Sequence, residues 1–268
     1  MIDLSIVIVS FNARADLERC LASLHQAAPA ARHEIIVVDN ASTDGSAPAA
    51  RQWPAVHVIE SPTNRGFAAA NNIGIRQSTG RALLLLNPDT IVPAGAIDGL
   101  LAELDPHSDA AAIGPRLVDG TGHAELSFGS MIGPLSELRQ RRLMRGLERD
   151  DPAVRQQVEA MTRRPQSPDW VSGACLLVRR EDAEAVGLLD ERYVMYTEDV
   201  DFCAALRARG RRVLFTPGVE VVHLRGRSAA TAPIATRAAY RRSHLAFYQK
   251  HHPAWAPFLR LYHWLRPL

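Results

Sequence analysis

Short apolar runs alternate with amphipathic segments through the first 120 residues of the chain. The runs are rich in leucine and β-branched residues, which is typical of strands buried on both faces of a sheet. Between the runs, apolar side chains recur at three- and four-residue spacing, as at positions 17, 20, 21 and 24, and this spacing predicts helices that pack on the sheet. The predicted strands are Leu4 to Val9, Glu34 to Val38, Val56 to Ile59, Leu83 to Leu86 and Ala110 to Val118.

The alternation of strands and helices predicts βαβ units and therefore an α/β fold with a mainly parallel sheet. Right-handed crossovers bring the carboxyl ends of such strands to one edge, where open α/β sheets bind their ligands. The run of leucines should end before Pro88, because proline cannot donate to a sheet ladder. Asp39 and Asp89 each follow a predicted strand, so we expect both to face the same crevice.

The pattern becomes less regular after residue 118. We interpret residues 127–167 as a mobile, partly helical insertion, whose arginines either form a solvated face or contact a phosphate or an anionic membrane. Next come a strand from Asp169 to Val178, with a break at Gly173, and a helix that begins at Glu198. The remaining apolar runs predict two short strands, Arg211 to Phe215 and Val219 to Leu224.

Residues 229–268 are expected to form a C-terminal helical extension to one large domain over residues 1–228. In the extension, aromatic side chains alternate with arginine, lysine and histidine. Such a helix either lies in a membrane interface or packs on the protein's own core, and the pattern leaves both open.

Charge and cysteine content exclude several classes of protein. The formal net charge of the 268-residue chain is only +2, which argues against a nucleic-acid partner. An odd, scattered set of cysteines, Cys20, Cys175 and Cys203, predicts buried thiols in a reducing compartment and no disulfide framework or zinc site. The chain has no apolar stretch of about 18 residues, so we expect a cytoplasmic protein without a transmembrane helix. Peripheral contact with the inner face of the plasma membrane stays open.

Acidic residues and a histidine at the ends of predicted elements are the candidates for chemistry. Asp89 is either a turn residue or a helix cap before Pro93, or it is an oxygen ligand for a hard cation that clamps a diphosphate. Glu198 and Asp199 begin a helix, where an acidic side chain either caps the backbone or supplies a reactive carboxylate. His223 ends a late strand, and a lone histidine there is more often structural than a ligand.

Several motifs, taken in order, resemble the family 2 inverting glycosyltransferases with the GT-A fold. They fall between residues 4 and 228, and their Asn-Arg-Gly-Phe and Asn-Pro-Asp versions are most similar to bacterial rhamnosyltransferases that use dTDP-rhamnose. The resemblance implies a Rossmann-like, mixed and mainly parallel sheet flanked by helices, with C-terminal helices. The matching segments are Ser5 to Asn12, Val37 to Ser46, Asn64 to Asn72, Leu86 to Asp89, Trp170 to Ala174 and Tyr196 to Phe202.

The resemblance implies a nucleotide-sugar site with residues from several segments. Asp39 would accept a hydrogen bond from the nucleobase, at its N3–H. Residues 1–118 would form the nucleotide-sugar half and residues 119–228 the acceptor and catalytic half. The other residues implied at this site are Ser10, Asn12, Asn40, Arg65, Gly66, Asn71, Asn87, Asp89, Trp170, Gly173 and Arg227.

The resemblance also implies catalytic and metal-binding roles. Asp199 matches the family's catalytic base, with Glu198 beside it. Asp89 and His223 would bind a divalent cation, Mg²⁺ or Mn²⁺. Asn87 stands where the family's acidic Asp-X-Asp motif has its first Asp, and an amide brings no charge to the site.

The implied reaction transfers a sugar, rhamnose from dTDP-rhamnose in the first instance, to a hydroxyl of a glycan or a polyprenyl-linked acceptor in cell-wall or polysaccharide synthesis. One alternative is a UDP-sugar donor. A second is a non-catalytic protein that binds nucleotide sugars, for which the neutral Asn87 leaves room. A third, a nucleotidyltransferase, is disfavoured because it needs a glycine-rich phosphate loop after the first strand, and Ser10 to Arg14 contains no glycine.

Overall fold

The computed structural model describes residues 2–224 and 233–265. Its strands are β1 (Leu4–Ser10), β2 (His33–Asp39), β3 (Val56–Glu60), β4 (Ala82–Leu86), β5 (Thr90–Ile91), β6 (Ala110–Val118), β7 (Phe128–Gly129), β8 (Trp170–Val171), β9 (Cys175–Arg179) and β10 (Arg212–His223). Its helices are α1 (Arg14–Gln26), α2 (Ser46–Ala50), α3 (Phe67–Gln77), α4 (Ala96–Leu104), α5 (Ser136–Glu148), α6 (Pro152–Met161), α7 (Arg180–Ala185), α8 (Glu198–Ala208), α9 (Pro233–His251) and α10 (Ala256–Leu265).

A mixed sheet of eight strands runs through the centre of the molecule, in the order β3-β2-β1-β4-β9-β6-β10-β5. The first four strands are parallel to one another, as are β6 and β10. Strand β9 is antiparallel to both of its neighbours, and β5 is antiparallel to β10. The predicted α/β fold with a mainly parallel sheet is therefore confirmed. Strands β7 and β8 form a separate small sheet.

The four leucines of β4 are buried on both faces of the sheet, as predicted. Leu84 and Leu86 belong to the apolar cluster that α1 and α4 cover. Leu83 and Leu85 belong to the cluster on the opposite face, which contains side chains of α3, α7 and α8. The strand ends at Leu86, two residues before the proline. Burial of all four leucines fixes β4 at the centre of the domain.

The predicted strand from Asp169 to Val178 is wrong as a single element. Its first part is β8, which pairs with β7, and its second part is β9, which belongs to the central sheet. The chain crosses between the sheets at residues 172–174. Ser172 N donates to Ser127 O on the side of the small sheet, at 2.8 Å.

The two short strands predicted after residue 210 form one strand, β10, so the prediction of separate elements is wrong. The strand continues past Pro217 and Gly218 with a shift in register between Thr216 and Glu220. Proline lacks the N–H that a ladder needs, and a bulge allows the strand to pass it.

Two pairs of helices lie outside the central sheet. Helices α5 and α6 occupy most of residues 127–167 and pack through Leu143 and Val158. Helix α9 packs on the core through Phe247 and Tyr248, whereas α10 exposes most of its apolar side chains. No helix in the two described ranges is long and apolar enough to cross a membrane.

The three cysteines are unpaired and buried, as predicted. Cys20 and Cys175 contribute to the cluster under α1, and Cys203 contributes to the cluster on the other face. Burial raises the pKa of each thiol to about 12.

We predict that Leu84→Ala lowers the free energy of unfolding by about 2–5 kcal/mol, because it leaves a cavity in the centre of the sheet. Leu138→Ala is the matched control, since Leu138 is 66% exposed, and we expect it to change stability by less than about 0.5 kcal/mol. Urea denaturation followed by circular dichroism measures both values. Equal effects of the two substitutions would contradict the assignment of β4 to the core.

Candidate active site

The loops that follow β1 and β2 enclose a buried carboxylate. Asp39 is 2% exposed, and its Oδ2 accepts a hydrogen bond from Ser42 N at 2.9 Å. Its Oδ1 has no hydrogen-bond partner among the described residues, nor has the buried hydroxyl of Ser10. Asn12 is left-handed (φ 49°), and its Oδ1 accepts from Thr43 N at 2.8 Å, which joins the two loops. Because buried polar atoms are normally paired, Asp39 Oδ1 and Ser10 Oγ are candidate contacts for a ligand.

Asn40 and Gly66 fix the loop before α3. The Oδ1 of Asn40 accepts from Arg65 N at 2.9 Å. Gly66 has φ +83°, and a Cβ on it would lie 2.5 Å from the carbonyl oxygen of Val194. Phe67 N donates to that same carbonyl at 3.0 Å. The glycine therefore permits a close approach between this loop and the segment before α8.

Some side chains near this loop bind other residues of the protein, and one has a polar atom without a partner among the described residues. The Arg65 guanidinium lies 3.3 Å from Glu191 Oε2, and both side chains are partly exposed. Asn71 donates to Phe67 O at 3.0 Å, but its buried Oδ1 has no partner among the described residues. Asn72, which the sequence did not single out, donates to Glu191 Oε1 at 3.0 Å. Contact of Arg65, Gly66 and Asn71 with a nucleotide stays a prediction.

Asp89 and His223 meet where β5 pairs with β10. Leu224 N donates to the carbonyl of Asp89 at 2.8 Å, and Asp89 Oδ1 lies 3.3 Å from His223 Nε2. The other ring nitrogen, Nδ1, lies 3.1 Å from Glu125 Oε2. Burial alone lowers the pKa of His223, but hydrogen bonds and charge from Asp89 and Glu125 outweigh it and raise the pKa to about 9. No local pattern marks Glu125, which is 98 residues away from the histidine along the chain.

Asp89 and His223 are suitable ligands for a divalent cation. A carboxylate oxygen suits Mg²⁺ or Mn²⁺. A carboxylate behind a metal-binding histidine orients the ring and raises its basicity, which is the position of Glu125. Among the described residues no group of three His, Cys, Asp or Glu side chains could hold a metal. Within the described ranges, Asp89 and His223 are the two candidate ligands here, and Asn87 adds no carboxylate.

The candidate base, Asp199, lies against Gly173 at the start of α8. Its Oδ2 accepts from Gly173 N at 2.9 Å, and its Oδ1 accepts from Val200 N at 2.8 Å. Burial raises the pKa of both Asp199 and Glu198, and the charge of Asp199 raises that of Glu198 further. The backbone N–H groups favour charge on Asp199, while Glu198 Oε2 is buried without a partner among the described residues. The shared burial therefore favours an ionised Asp199 beside a protonated Glu198.

A short backbone segment connects the two acidic sites. Asn87 N, at the end of β4, donates to the carbonyl of Ala174 at 2.9 Å. The preceding residue, Gly173, contacts Asp199, and a Cβ on this glycine would lie 3.3 Å from the Asp199 Cβ. Two adjacent residues therefore link the two parts of the site. Ala174 contacts the end of β4, just before Asp89, and Gly173 contacts Asp199 at the start of α8.

A buried ionic cluster fastens α9 to the first turn of α8. Asp201 is 2% exposed and accepts from Lys250 Nζ at 2.8 Å and from the Tyr193 hydroxyl at 3.1 Å. His251 Nε2 lies 2.6 Å from the same carboxylate. Residues 196–197 just before the helix are left-handed without being glycine, which costs about 1–3 kcal/mol each. The cluster anchors the helix that follows this strained segment, and Asp201 was not among the predicted site residues.

Of two further predicted site residues, the structure describes Trp170 but not Arg227. Trp170 is half-buried, and its Nε1 donates to the carbonyl of Ser130 at 2.9 Å. Its ring packs against the cluster that holds Tyr193 and Phe247. Arg227 lies outside the described residues.

Comparison with known proteins identifies relatives over most of the chain. The family model "Glycosyl transferase family 2" matches residues 5–184. An N-acetylglucosaminyl-diphospho-decaprenol L-rhamnosyltransferase of Mycobacterium tuberculosis is 32% identical over 272 residues, which cover 94% of this chain and 86% of that protein.

Solved structures with low sequence identity share the fold. The mannosyltransferase PcManGT from Pyrobaculum calidifontis, in complex with GDP-Man and Mn²⁺, aligns with a TM-score of 0.64 at 20% identity, over 96% of this chain and 68% of that one. GalNAc-T7 with UDP, GalNAc and Mn²⁺ aligns with a TM-score of 0.61 at 19% identity, over 83% of this chain and 44% of that one. The predicted GT-A fold is therefore confirmed.

We predict that Gly66→Ala destabilises the protein more than Gly95→Ala does, by at least about 1 kcal/mol. Both glycines have positive φ, but a Cβ at Gly95 meets no atom within 4 Å, whereas one at Gly66 meets Val194. The difference between the two free energies of unfolding, measured in urea, isolates this backbone contact. Equal losses would show that the loop before α3 moves away from Val194 without cost.

Proposed function

The chain belongs to glycosyl transferase family 2, and we propose that it transfers rhamnose from dTDP-rhamnose to a hydroxyl of a glycan or polyprenyl-linked acceptor, with inversion at the anomeric carbon. The observation that carries this proposal is the half-buried carboxylate of Asp199, which accepts hydrogen bonds from the backbone N–H groups of Gly173 and Val200. Gly173 precedes Ala174, whose carbonyl accepts from Asn87 N just after β4. The M. tuberculosis relative, a rhamnosyltransferase by name, supports rhamnose as the sugar.

In this proposal Asp39 binds the nucleobase. The Oδ1 of Asp39 is buried without a partner among the described residues, and the N3–H of thymine would supply one. Uracil presents the same N3–H, so this contact accepts dTDP and UDP alike. The preference for dTDP comes from the motifs shared with rhamnosyltransferases. Residues 1–118 would hold the nucleotide sugar, and residues 119–228 would supply the base and the acceptor site.

Asp199 would act as the general base. As the acceptor oxygen forms its bond to the anomeric carbon, its proton passes to Asp199, and the bond from that carbon to the diphosphate oxygen breaks. The electron pair of the broken bond leaves with the nucleoside diphosphate. Attack from the face opposite the leaving group inverts the configuration. Glu198, which favours its protonated form, would keep a second negative charge away from the acceptor.

Asp89 and His223 would hold a Mg²⁺ or Mn²⁺ ion, which when bound supplies positive charge beside the leaving diphosphate. Their fit rests on the adjacent oxygen and nitrogen ligands and on Glu125 behind the ring. We further propose a cytoplasmic location with peripheral contact at the inner face of the plasma membrane, where a polyprenyl-linked acceptor is anchored.

We predict that Asp199→Asn lowers kcat by roughly 10²–10⁴-fold, because the amide cannot accept the acceptor's proton. Binding of dTDP should be unchanged, as judged by calorimetric titration. Asp109→Asn is the matched control, since Asp109 is exposed and lies before β6, away from this site. Release of dTDP from dTDP-rhamnose in the presence of acceptor measures turnover. Near-normal turnover by Asp199→Asn would leave the transferase without its proposed base.

We predict that dTDP with Mn²⁺ raises the melting temperature by roughly 5 °C or more at 100-fold excess over Kd. The Asp89→Ala variant should lose the part of the shift that depends on Mn²⁺, and Asp39→Asn should lose most of the shift. UDP and GDP are the comparison ligands. An equal shift with UDP would favour the UDP-sugar alternative, and a wild-type shift that is the same without Mn²⁺ would remove Asp89 from metal binding.

A further inference from the structure

Helix α5 and the residue that follows it present a row of four arginines to solvent. Among the described residues, no carboxylate forms an ion pair with these four arginines, whereas Arg141 of the same helix pairs with Glu137 at 3.1 Å. The four lie three or four positions apart, so they share one side of the helix. They also line a single cavity of about 920 Å³, together with Tyr262 of α10. The exposed arginines are Arg139, Arg142, Arg145 and Arg149.

Large apolar side chains are exposed beside these cations. Leu135 is 83% exposed at the start of α5, and Trp264 is 77% exposed near the end of the described part of α10. Surfaces of soluble monomers rarely display so many large apolar side chains together, and such a patch marks an interaction site. The set comprises Leu135, Leu138, Trp255, Phe258, Leu261, Tyr262, Trp264 and Leu265.

The two groups of side chains form one continuous surface, which we call the α5–α10 face. A groove between the helices is lined by Leu138 and Arg141 on one side and by Trp255, Phe258 and Tyr262 on the other. Helix α5 is also tied to the C-terminal helices by polar contacts within the molecule. His244 of α9 contacts the carboxylate of Glu137, and His252 Nε2 lies 2.7 Å from the carbonyl oxygen of Ile132.

We propose that the α5–α10 face docks on an anionic phospholipid bilayer. The aromatic and leucine side chains would enter the boundary between headgroups and acyl chains, and the arginines would bind lipid phosphates. Charge argues for this occupant, because a second copy of the chain would bring like-charged arginine rows together. This proposal rests on the membrane contact in the proposed function, and it names the surface and the class of lipid involved. Vesicle binding can be measured without transferase activity, so the two proposals can fail separately.

Helix α5 packs near the segment that leads to the candidate base. A Cβ on Gly129 would meet Gln140 of α5 at 2.6 Å and the Trp170 ring at 2.9 Å, so helix and ring pack on the same glycine. Trp170 precedes the segment in which Gly173 contacts Asp199.

Co-sedimentation of the full chain with vesicles tests the proposal. We expect the chain to bind phosphatidylcholine vesicles that contain roughly 30% phosphatidylglycerol, to bind pure phosphatidylcholine much less, and to dissociate in about 0.5 M salt. The double variant R142Q/R145Q should bind the anionic vesicles about 10- to 30-fold more weakly. The double variant F258A/W264A should lose most of the binding.

R51Q/R209Q is the matched control, because it removes two exposed arginines outside the α5–α10 face. It should bind vesicles as the wild type does, and the thermal shift with dTDP should confirm that each variant is folded. Failure of the wild-type chain to sediment with anionic vesicles at low salt would overturn the proposal. So would equal binding by R142Q/R145Q and R51Q/R209Q. A dimer that F258A/W264A converts to a monomer, without vesicle binding, would assign the face to a second copy of the chain.

Discussion

The candidate site depends on the antiparallel pairing between β4 and β9. Leu86 opposes Cys175 in this ladder, and the next hydrogen bond joins Asn87 N to the carbonyl of Ala174. The residue before that carbonyl is Gly173, whose N–H binds Asp199. Because β9 runs against β4, the beginning of β9 meets the carboxyl end of β4. A parallel β9 would carry Gly173 to the far edge of the sheet, and Asp199 would lose both its backbone donor and its position.

Several buried polar atoms without a partner among the described residues lie at this edge of the sheet, whereas others, such as Arg211 Nε and His244 Nδ1, lie elsewhere. The buried carboxylate of Asp201 is satisfied by Lys250 and His251. In contrast, Asp39 Oδ1 and Glu198 Oε2 are buried without partners among the described residues. An unpaired buried carboxylate is costly to stability, so it indicates a site that a ligand or a proton completes. By this criterion the carboxylate of Asp201, which Lys250 and His251 of α9 satisfy, is structural.

Elements with a local sequence pattern could be predicted from the sequence. Features that depend on contacts between distant residues could not. Alternating strands and helices gave the α/β sheet, and the ordered motifs gave the GT-A fold. The direction of β9 was not predicted because a buried apolar run reads the same in parallel and antiparallel strands. Glu125 was missed because its contact with His223 spans 98 residues and follows no motif. Strand β10 was predicted as two short strands, yet it continues past Pro217 and Gly218 with a bulge, since β6 pairs with it on both sides of the interruption. The roles of Asp39, Asp89 and Asp199 stay predictions that rest on geometry and on resemblance.

The burial of every cysteine gives this protein a surface without reactive sulfur. Only a thiolate attacks maleimides or disulfides, and thiols with a pKa near 12 carry almost no thiolate at neutral pH. The native chain should therefore resist alkylation, and it should not form disulfides between molecules when it is handled in air. A cysteine introduced at any exposed position becomes a unique attachment point, so a single fluorophore can be installed without first removing the native thiols.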